Sequence, residues 1–172
     1  IASRTLAATP RISSVSRLVG VSGEHLDMAK VLVGSEAIRA GVVTRHELSR
    51  WYRRIHPGIY TDGKPDLRDR MTAAWLWSRR RAVISGVAAS ALHGAAWVDA
   101  DVPVELIWSN THPPNGLIVR NETVHPDEIT RIAGLPVTTA ARTAYDLGRH
   151  LPRSAALPRL DALMRATKFS LD

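Results

Sequence analysis

A short stretch near residue 50 holds most of the side chains that could bind nucleic acid directly. Its hydroxyl, imidazole and guanidinium groups belong to Thr44, Arg45, His46, Ser49, Arg50, Arg53, Arg54 and His56. An arginine fork can bond O6 and N7 of guanine together, and arginine also pairs with phosphates. We therefore predict a site for double-stranded DNA, in which Arg45 and Arg50 read bases while Arg53 and Arg54 contact phosphates.

The sequence lacks the residue patterns of common metal and catalytic sites. Cysteine is absent, and none of the seven histidines has a His or Cys neighbour at metal-ligand spacing. For His93 we favour a structural role. For His56 a structural role is the alternative to contact with DNA. Asp99 and Asp101 form an acidic pair without a nearby lysine, which a metal-dependent nuclease would need, so we interpret them as solvated loop charges. We expect a protein that is not an enzyme and that holds no metal or cofactor.

The positive charge of the chain is concentrated in one third of its length. The net charge is +7. Residues 28–81 carry 12 Lys+Arg against 5 Asp+Glu, residues 82–172 carry 8 against 9, and residues 1–27 carry 3 against 2. A surplus confined to the segment with the candidate DNA-binding residues is typical of a nucleic-acid-binding module. The alternative is a solvated basic surface on a protein–protein module.

Two elements must position the candidate DNA-binding residues. Thr44 and Glu47 have the spacing of a capping box, which predicts a helix over 45–51, and Val43 and Leu48 fit a hydrophobic staple. Leu48 and Trp51, three apart, are expected to share its inward face. Residues 52–61 are predicted to form a hairpin that turns at Pro57-Gly58.

The fold class that we predict is α+β, with a winged helix-turn-helix over residues 28–64 followed by a small mixed α/β domain over 65–172. The winged part would begin with a helix at 31–41, capped by Ser35. Further helices are expected at 67–80 (capped by Asp66), 86–93, 140–150 (capped by Thr139) and 155–167, with strands at 102–108, 117–124 and 135–137. Three tryptophans on apolar faces are predicted core anchors: Trp51, Trp75 and Trp108. In the helix at 140–150 the expected inward residues are Ala141, Ala144, Tyr145 and Gly148.

Two further segments carry functional expectations. Arg79-Arg80-Arg81 either complements the helix dipole at the end of the 67–80 helix or contacts phosphate. Residues 1–27 are rich in Ser, Ala and Arg, so we expect disorder or an extension upstream of a natural start at Met28. Without cysteine or an apolar run of about 20 residues, a cytoplasmic protein with no membrane partner is expected.

Three segments together resemble one group of actinobacterial proteins. They are residues 51–60 (WYRRIHPGIY), 85–94 (SGVAASALHG) and 134–147 (GLPVTTAARTAYDL). They are similar, in this order, to the N-terminal region of AbiEi-type antitoxins of abortive-infection (type IV) toxin–antitoxin systems. The resemblance covers about residues 31–166. Many members of the group continue into a C-terminal domain similar to the very-short-patch-repair (Vsr-like) endonucleases.

The resemblance implies a winged helix-turn-helix that binds operator DNA and represses its own operon. It also implies an α/β second part and, in true AbiEi proteins, a nucleotidyltransferase-type toxin as partner. A homodimer would match the paired half-sites that helix-turn-helix repressors commonly read. This chain departs from the longer members because it stops where their nuclease-like domain would begin.

Three functions therefore remain open from the sequence. The first is an antitoxin-like transcriptional autorepressor. The second is the DNA-targeting half of a Vsr-like endonuclease whose catalytic domain is missing. The third is a protein-interaction scaffold that uses the flat face of the strands within 102–124.

Overall fold

The computed structural model describes residues 30–109 and 112–167, so our expectation for residues 1–27 lies outside the described residues. Within them the chain is α+β, with six α-helices and two sheets. No helix of this described part is long and apolar enough to cross a bilayer. The first five elements are β1 (Val31–Val33), α1 (Gly34–Arg39), α2 (Arg45–Trp51), β2 (Arg53–His56) and β3 (Ile59–Thr61).

The first three strands form an antiparallel sheet in the order β1-β3-β2, which we call the N-terminal sheet. Its two faces pack against different helices. Leu32 and Tyr60, paired across β1 and β3, join an apolar cluster with Leu48 of α2. Val31 and Ile59, on the opposite face, pack against the helix that follows the sheet, α3 (Leu67–Trp77).

The predicted helix at 31–41 is wrong in its first turn. Val31–Val33 is a strand, α1 begins at Gly34, and the N-cap position is Val33 rather than Ser35. The extended conformation is favoured because the apolar segment can pair with β3 and bury side chains on both faces of the sheet. A three-residue strand is too short for its periodicity to distinguish it from a helical turn.

The hairpin and the helix cap before it agree with the sequence prediction. β2 and β3 pair antiparallel around the turn at Pro57 and Gly58, with an irregularity in register between Arg54 and His56. Thr44 Oγ1 accepts a hydrogen bond from the Glu47 amide at 3.2 Å, and the Thr44 amide donates to Glu47 Oε2 at 2.8 Å. The sequence therefore predicts this region well.

The next helix, α3, joins the two halves of the protein. Its Ala73 packs under the N-terminal sheet, whereas Met71 and Ala74 belong to the largest apolar cluster, under the second sheet. Trp77 contacts both clusters and meets Trp108 edge-on, with ring centroids 5.3 Å apart. The described residues after β3 therefore share a packed core with those before it.

The C-terminal end of α3 differs from the prediction. The helix ends at Trp77 instead of residue 80, and Arg79 and Arg80 have φ of 58° and 62°, in the left-handed region. The Arg79 amide donates to Leu76 and the Arg80 amide to Trp75, both at 3.0 Å, which is the hydrogen-bond pattern of a Schellman cap. The arginines therefore leave the helix instead of extending its last turn.

The second sheet has five strands in the order β6-β5-β4-β8-β7, and we call it the C-terminal sheet. It is built from β4 (Val83–Ser85), β5 (Val104–Ile107), β6 (Leu117–Arg120), β7 (Ile129–Ile132) and β8 (Leu135–Thr138). β4 and β7 were not predicted. Every residue of β5 is buried, so the scaffold hypothesis lacks the open face that it needs on this strand.

Three helices complete the second half: α4 (Gly86–Leu92), α5 (Ala140–His150) and α6 (Arg153–Thr167). The bounds of α5 and its Thr139 cap match the prediction. Its inward face does not, because of the four residues expected there only Ala144 is buried, while Tyr145 is 57% exposed. Arg142 and Asp146 lie inward instead.

Candidate nucleic-acid interface

α2 is almost entirely exposed. Of its seven residues only Leu48 is buried, packed against Val43 in the apolar cluster with α1 and the N-terminal sheet. The prediction that Trp51 shares this inward face is wrong, since Trp51 is 54% exposed. One buried residue is enough to anchor a two-turn helix whose start is fixed by a capping box, and it leaves the outer surface of α2 free to lie against a partner.

The structure brings together five of the eight predicted DNA-binding residues at this surface. All five are exposed, and all lie on α2 or at its N-cap: Thr44, Arg45, His46, Ser49 and Arg50. The guanidinium of Arg50 lies over the ring of Trp51, 5.3 Å from its centroid. This cation–π contact holds one donor group of the surface in place.

Arg53 and Arg54 are both exposed on the edge strand β2, but they leave the sheet on opposite faces. Arg54 is paired with Tyr60, on the face that packs against α1 and α2. Arg53 is paired with Thr61, on the face that packs against α3. Because paired residues of neighbouring strands point to the same face, Arg54 is on the side of α2 and Arg53 is not. The prediction that Arg53 and Arg54 contact phosphates as a pair is therefore corrected, because only Arg54 lies on the side of α2.

His56 does not fit the predicted DNA-binding set, because it is buried with 6% of its surface exposed. Its ring lies 6.4 Å from the ring of Trp77. Burial, aided by the charge of Arg70, lowers the pKa of His56 to about 4, so the imidazole is neutral at pH 7. The structural interpretation of this histidine holds, and its contact with DNA is excluded in this conformation.

An open groove of about 520 Å³ runs beside α2, between α1, the β2–β3 turn and the end of α3. Its apolar wall includes Tyr60 and Trp77, and three arginines from three elements line it: Arg39, Arg45 and Arg79. Arg39 was not among the predicted site residues. It enlarges the basic surface around α2 beyond what the motif itself indicates.

The acidic residues of this region are largely committed to local contacts. Glu36 accepts two hydrogen bonds from Arg80, at 2.7 and 2.8 Å, and these bonds lower the pKa of Glu36. Glu47 and Asp69 serve the capping boxes of α2 and α3. Within the described parts of the chain, none of the ion pairs involves Arg45, Arg50, Arg53 or Arg54. The arginines on and beside α2 outnumber the carboxylates there, so the surface is positively charged although Glu47 also lies on it.

A buried polar network in the second half was missed by the sequence analysis. Arg142, 8% exposed, donates to Asp146 at 2.9 Å, to Glu128 at 2.8 Å and to Glu122 at 3.3 Å. The four-residue spacing of Arg142 and Asp146 on α5 was visible in the sequence, but partners 14 and 20 residues away were not. Nearby, His93 lies 2.8 Å from the Thr138 carbonyl oxygen, which confirms its structural role.

No family model, no curated protein and no solved structure matches this chain. The resemblance to AbiEi-type antitoxins thus remains an expectation, and the function is argued from the geometry of the α2 surface.

Proposed function

We propose that the protein is a sequence-specific, non-enzymatic DNA-binding regulator that inserts α2 into the major groove of a duplex. The observation that carries the proposal is the exposed surface of α2, where only Leu48 is buried and where Arg45 and Arg50 form no ion pair with a described residue. Arginine at two outward positions offers bidentate donors to guanine edges.

The arrangement of the first five elements supports a winged helix-turn-helix. Two short helices precede a hairpin, the second helix is exposed, and the strand before them pairs with the second hairpin strand, in the order β1-β3-β2. In such modules the second helix reads the major groove while the wing meets the backbone. Arg54, on the α2 side of the hairpin, is suited to that backbone contact.

The resemblance of the three motifs to AbiEi-type antitoxins extends the proposal to biology. An autorepressor of this type binds the operator of its own operon, and a nucleotidyltransferase-type toxin would be its partner. We infer operator binding as the primary activity and antitoxin action as the role that this resemblance adds.

A titration of the protein against fluorescent duplexes tests the primary activity. One duplex carries the promoter upstream of its own gene, and a second carries a scrambled sequence. We expect tighter binding to the promoter, and affinity that falls steeply with salt because each neutralised phosphate releases counterions. Equal affinity for both duplexes, or no binding at low salt, would overturn the proposal.

Alanine variants of neighbouring arginines distinguish base reading from phosphate contact. Arg45→Ala and Arg50→Ala are each expected to cost about 1–3 kcal/mol on the promoter and to relax its preference over the scrambled duplex. Arg54→Ala should weaken both duplexes alike and reduce the salt slope by about 1. Arg53→Ala, on the opposite face of the hairpin, should have a smaller effect, and the exposed Arg153→Ala in α6 serves as the distant control.

A further inference from the structure

The carboxylates around Arg142 are each held by only one of their two oxygens. Arg142 Nε donates to Asp146 Oδ1 at 2.9 Å, and Arg142 and Arg149 both donate to Glu122 Oε2 at 3.3 Å. The second oxygens, Asp146 Oδ2 and Glu122 Oε1, receive no hydrogen bond from these arginines. The arginines thereby fix the orientation of both carboxylates and leave one oxygen of each available.

One of these available oxygens, Glu122 Oε1, meets the imidazole of His150. His150 Nε2 lies 3.1 Å from Glu122 Oε1, but its buried atom makes no hydrogen bond of proper geometry. Asp146 Oδ2 is buried and has no hydrogen-bond partner in the described structure, and the Asp146 side chain is only 2% exposed. Glu122, Asp146 and His150 each offer one ligand atom, and these atoms lie within 4.8 Å of one another.

The local structure explains why three acceptor groups converge here. Asp146 and His150 are four residues apart on α5, so their side chains lie one above the other on the same helix face. Glu122 follows the edge strand β6 and reaches the same point from the loop. Asp146 Oδ2, buried and without a hydrogen-bond partner in the described structure, therefore belongs to a three-residue group of nitrogen and oxygen atoms that a cation can satisfy.

We propose that Glu122, Asp146 and His150 form a binding site for one divalent transition-metal ion of the Zn²⁺ class. One imidazole and two carboxylates are a nitrogen–oxygen donor set that suits Zn²⁺, and water would complete the tetrahedron. The neighbouring Arg142 and Arg149 hold the outer oxygens, as second-layer donors to metal ligands commonly do.

The ion would tie the loop after β6 to α5 and would stabilise the folded chain. A ligand that binds only the native state at a hundredfold excess over its dissociation constant stabilises it by about 2.7 kcal/mol. This role is independent of DNA binding, because the α2 surface and this cluster use different residues in different halves of the chain.

The test is a titration of the metal-stripped full chain with Zn²⁺, followed by calorimetry and native mass spectrometry, with Mg²⁺ as a comparison. We expect one Zn²⁺ per chain, a higher melting temperature, and little response to Mg²⁺. Co²⁺ in place of Zn²⁺ should give the visible absorption bands of a low-coordinate site. If the chain takes up no Zn²⁺, or takes it up with no change in melting temperature, the proposal is overturned.

The diagnostic variant is His150→Gln, because His150 takes no part in the hydrogen bonds of Arg142. It should fold, keep its circular dichroism spectrum and lose Zn²⁺ binding by at least tenfold, as ligand loss does. The exposed His112→Gln is the matched control and should bind Zn²⁺ as the parent does. Equal Zn²⁺ affinity in the parent and His150→Gln would overturn the assignment and leave a buried ion-pair network only.

Discussion

The carboxylate of Glu105 lies where a side chain on Gly86 would have to be. Gly86 begins α4 with φ of 59°, and a Cβ built on it would collide with both carboxylate oxygens of Glu105. Glu105 Oε1 accepts from the Val87 amide at 3.3 Å, and Arg120 donates twice to Oε2, at 2.8 and 3.0 Å. The Ser85-Gly86-Val87 sequence thus makes room for the buried Glu105 carboxylate and its ion pair with the partly exposed Arg120, between β5 and β6.

Gly86→Ala should be among the most destabilising single changes in the chain. It forces a non-glycine residue into the left-handed region, and it displaces a buried carboxylate from its arginine, which costs about 3–5 kcal/mol when such a pair is broken. Chemical denaturation should therefore show a loss of at least about 3 kcal/mol in the free energy of unfolding. Gly134→Ala is the control: φ is 84° there but nothing lies within 4 Å, so only the backbone cost of about 1–2 kcal/mol is expected. An equal loss of unfolding free energy in Gly86→Ala and Gly134→Ala would contradict the role of Glu105.

His56 should make stability depend on pH in weakly acidic solution. Its pKa is about 4 in the folded chain and about 6.5 when unfolded, so between these values the unfolded state binds the extra proton. The contribution is therefore fully present above pH 6.5 and is lost as the pH falls towards 4, by about 3 kcal/mol in total.

His56→Phe removes this titration and keeps a ring against Trp77. The difference in unfolding free energy between the parent and His56→Phe should shift by about 3 kcal/mol between pH 7 and pH 4, measured by urea denaturation. The exposed His46→Ala is the control for the loss of one histidine from the chain. Parallel pH curves for parent and His56→Phe would show that the buried environment of His56 is not maintained in solution.

The sequence predicts the elements that local chemistry determines. The capping box at Thr44, the caps at Asp66 and Thr139 and the Pro57-Gly58 turn all use residues within a few positions of one another, and all are present. Elements that exist through distant partners were missed. β1, β4 and β7 each have three or four residues, and pairing with β3, β5 and β8 rather than periodicity defines them.

The candidate DNA surface also combines features that neighbouring residues determine with features that depend on distant partners. The cap of α2 and the inward position of Leu48 were predicted from the sequence, whereas the exposure of Trp51 was not. Alternation along a strand already places Arg53 and Arg54 on opposite faces. Which of them lies on the side of α2 depends on the register of β2 with β3, and the burial of His56 depends on packing against Trp77 from α3. Neither relationship can be obtained from residue types and spacing within the motif.

Two capping boxes allow the role of α2 in binding to be separated from stability. Thr44→Ala and Asp66→Ala each remove the side-chain oxygen that caps a helix, so each should cost about 1 kcal/mol of unfolding free energy. Only Thr44→Ala loosens the helix that we propose enters the groove, so only this variant should also bind the promoter duplex less tightly, by up to about fivefold. Equal binding by both variants would argue against contact through α2.

Arg79→Gly should raise the stability of the fold and lower its affinity for DNA. Arg79 occupies the left-handed position of the cap after α3, where glycine is favoured, so Arg79→Gly should raise the unfolding free energy by about 1 kcal/mol. The same change removes one of the three arginines that line the groove beside α2, and it should weaken DNA binding at low salt. Thermal denaturation and the duplex titration measure the two effects separately. Arg81→Gly, at an exposed neighbour with no left-handed backbone, should not be stabilising.

Trp51 offers a test in which binding changes while folding does not. With 54% of its surface exposed, Trp51→Ala should alter the unfolding free energy by no more than about 0.5 kcal/mol, unlike a core tryptophan. The variant also removes the ring that holds the Arg50 guanidinium, a contact of about 0.5–1 kcal/mol, so promoter affinity should fall two- to fivefold. Trp97→Ala, 90% exposed outside the basic segment, should leave both quantities unchanged. If Trp51→Ala unfolds the chain, α2 is packed more deeply than this structure shows; if both variants bind as the parent does, Arg50 does not read the duplex from this position.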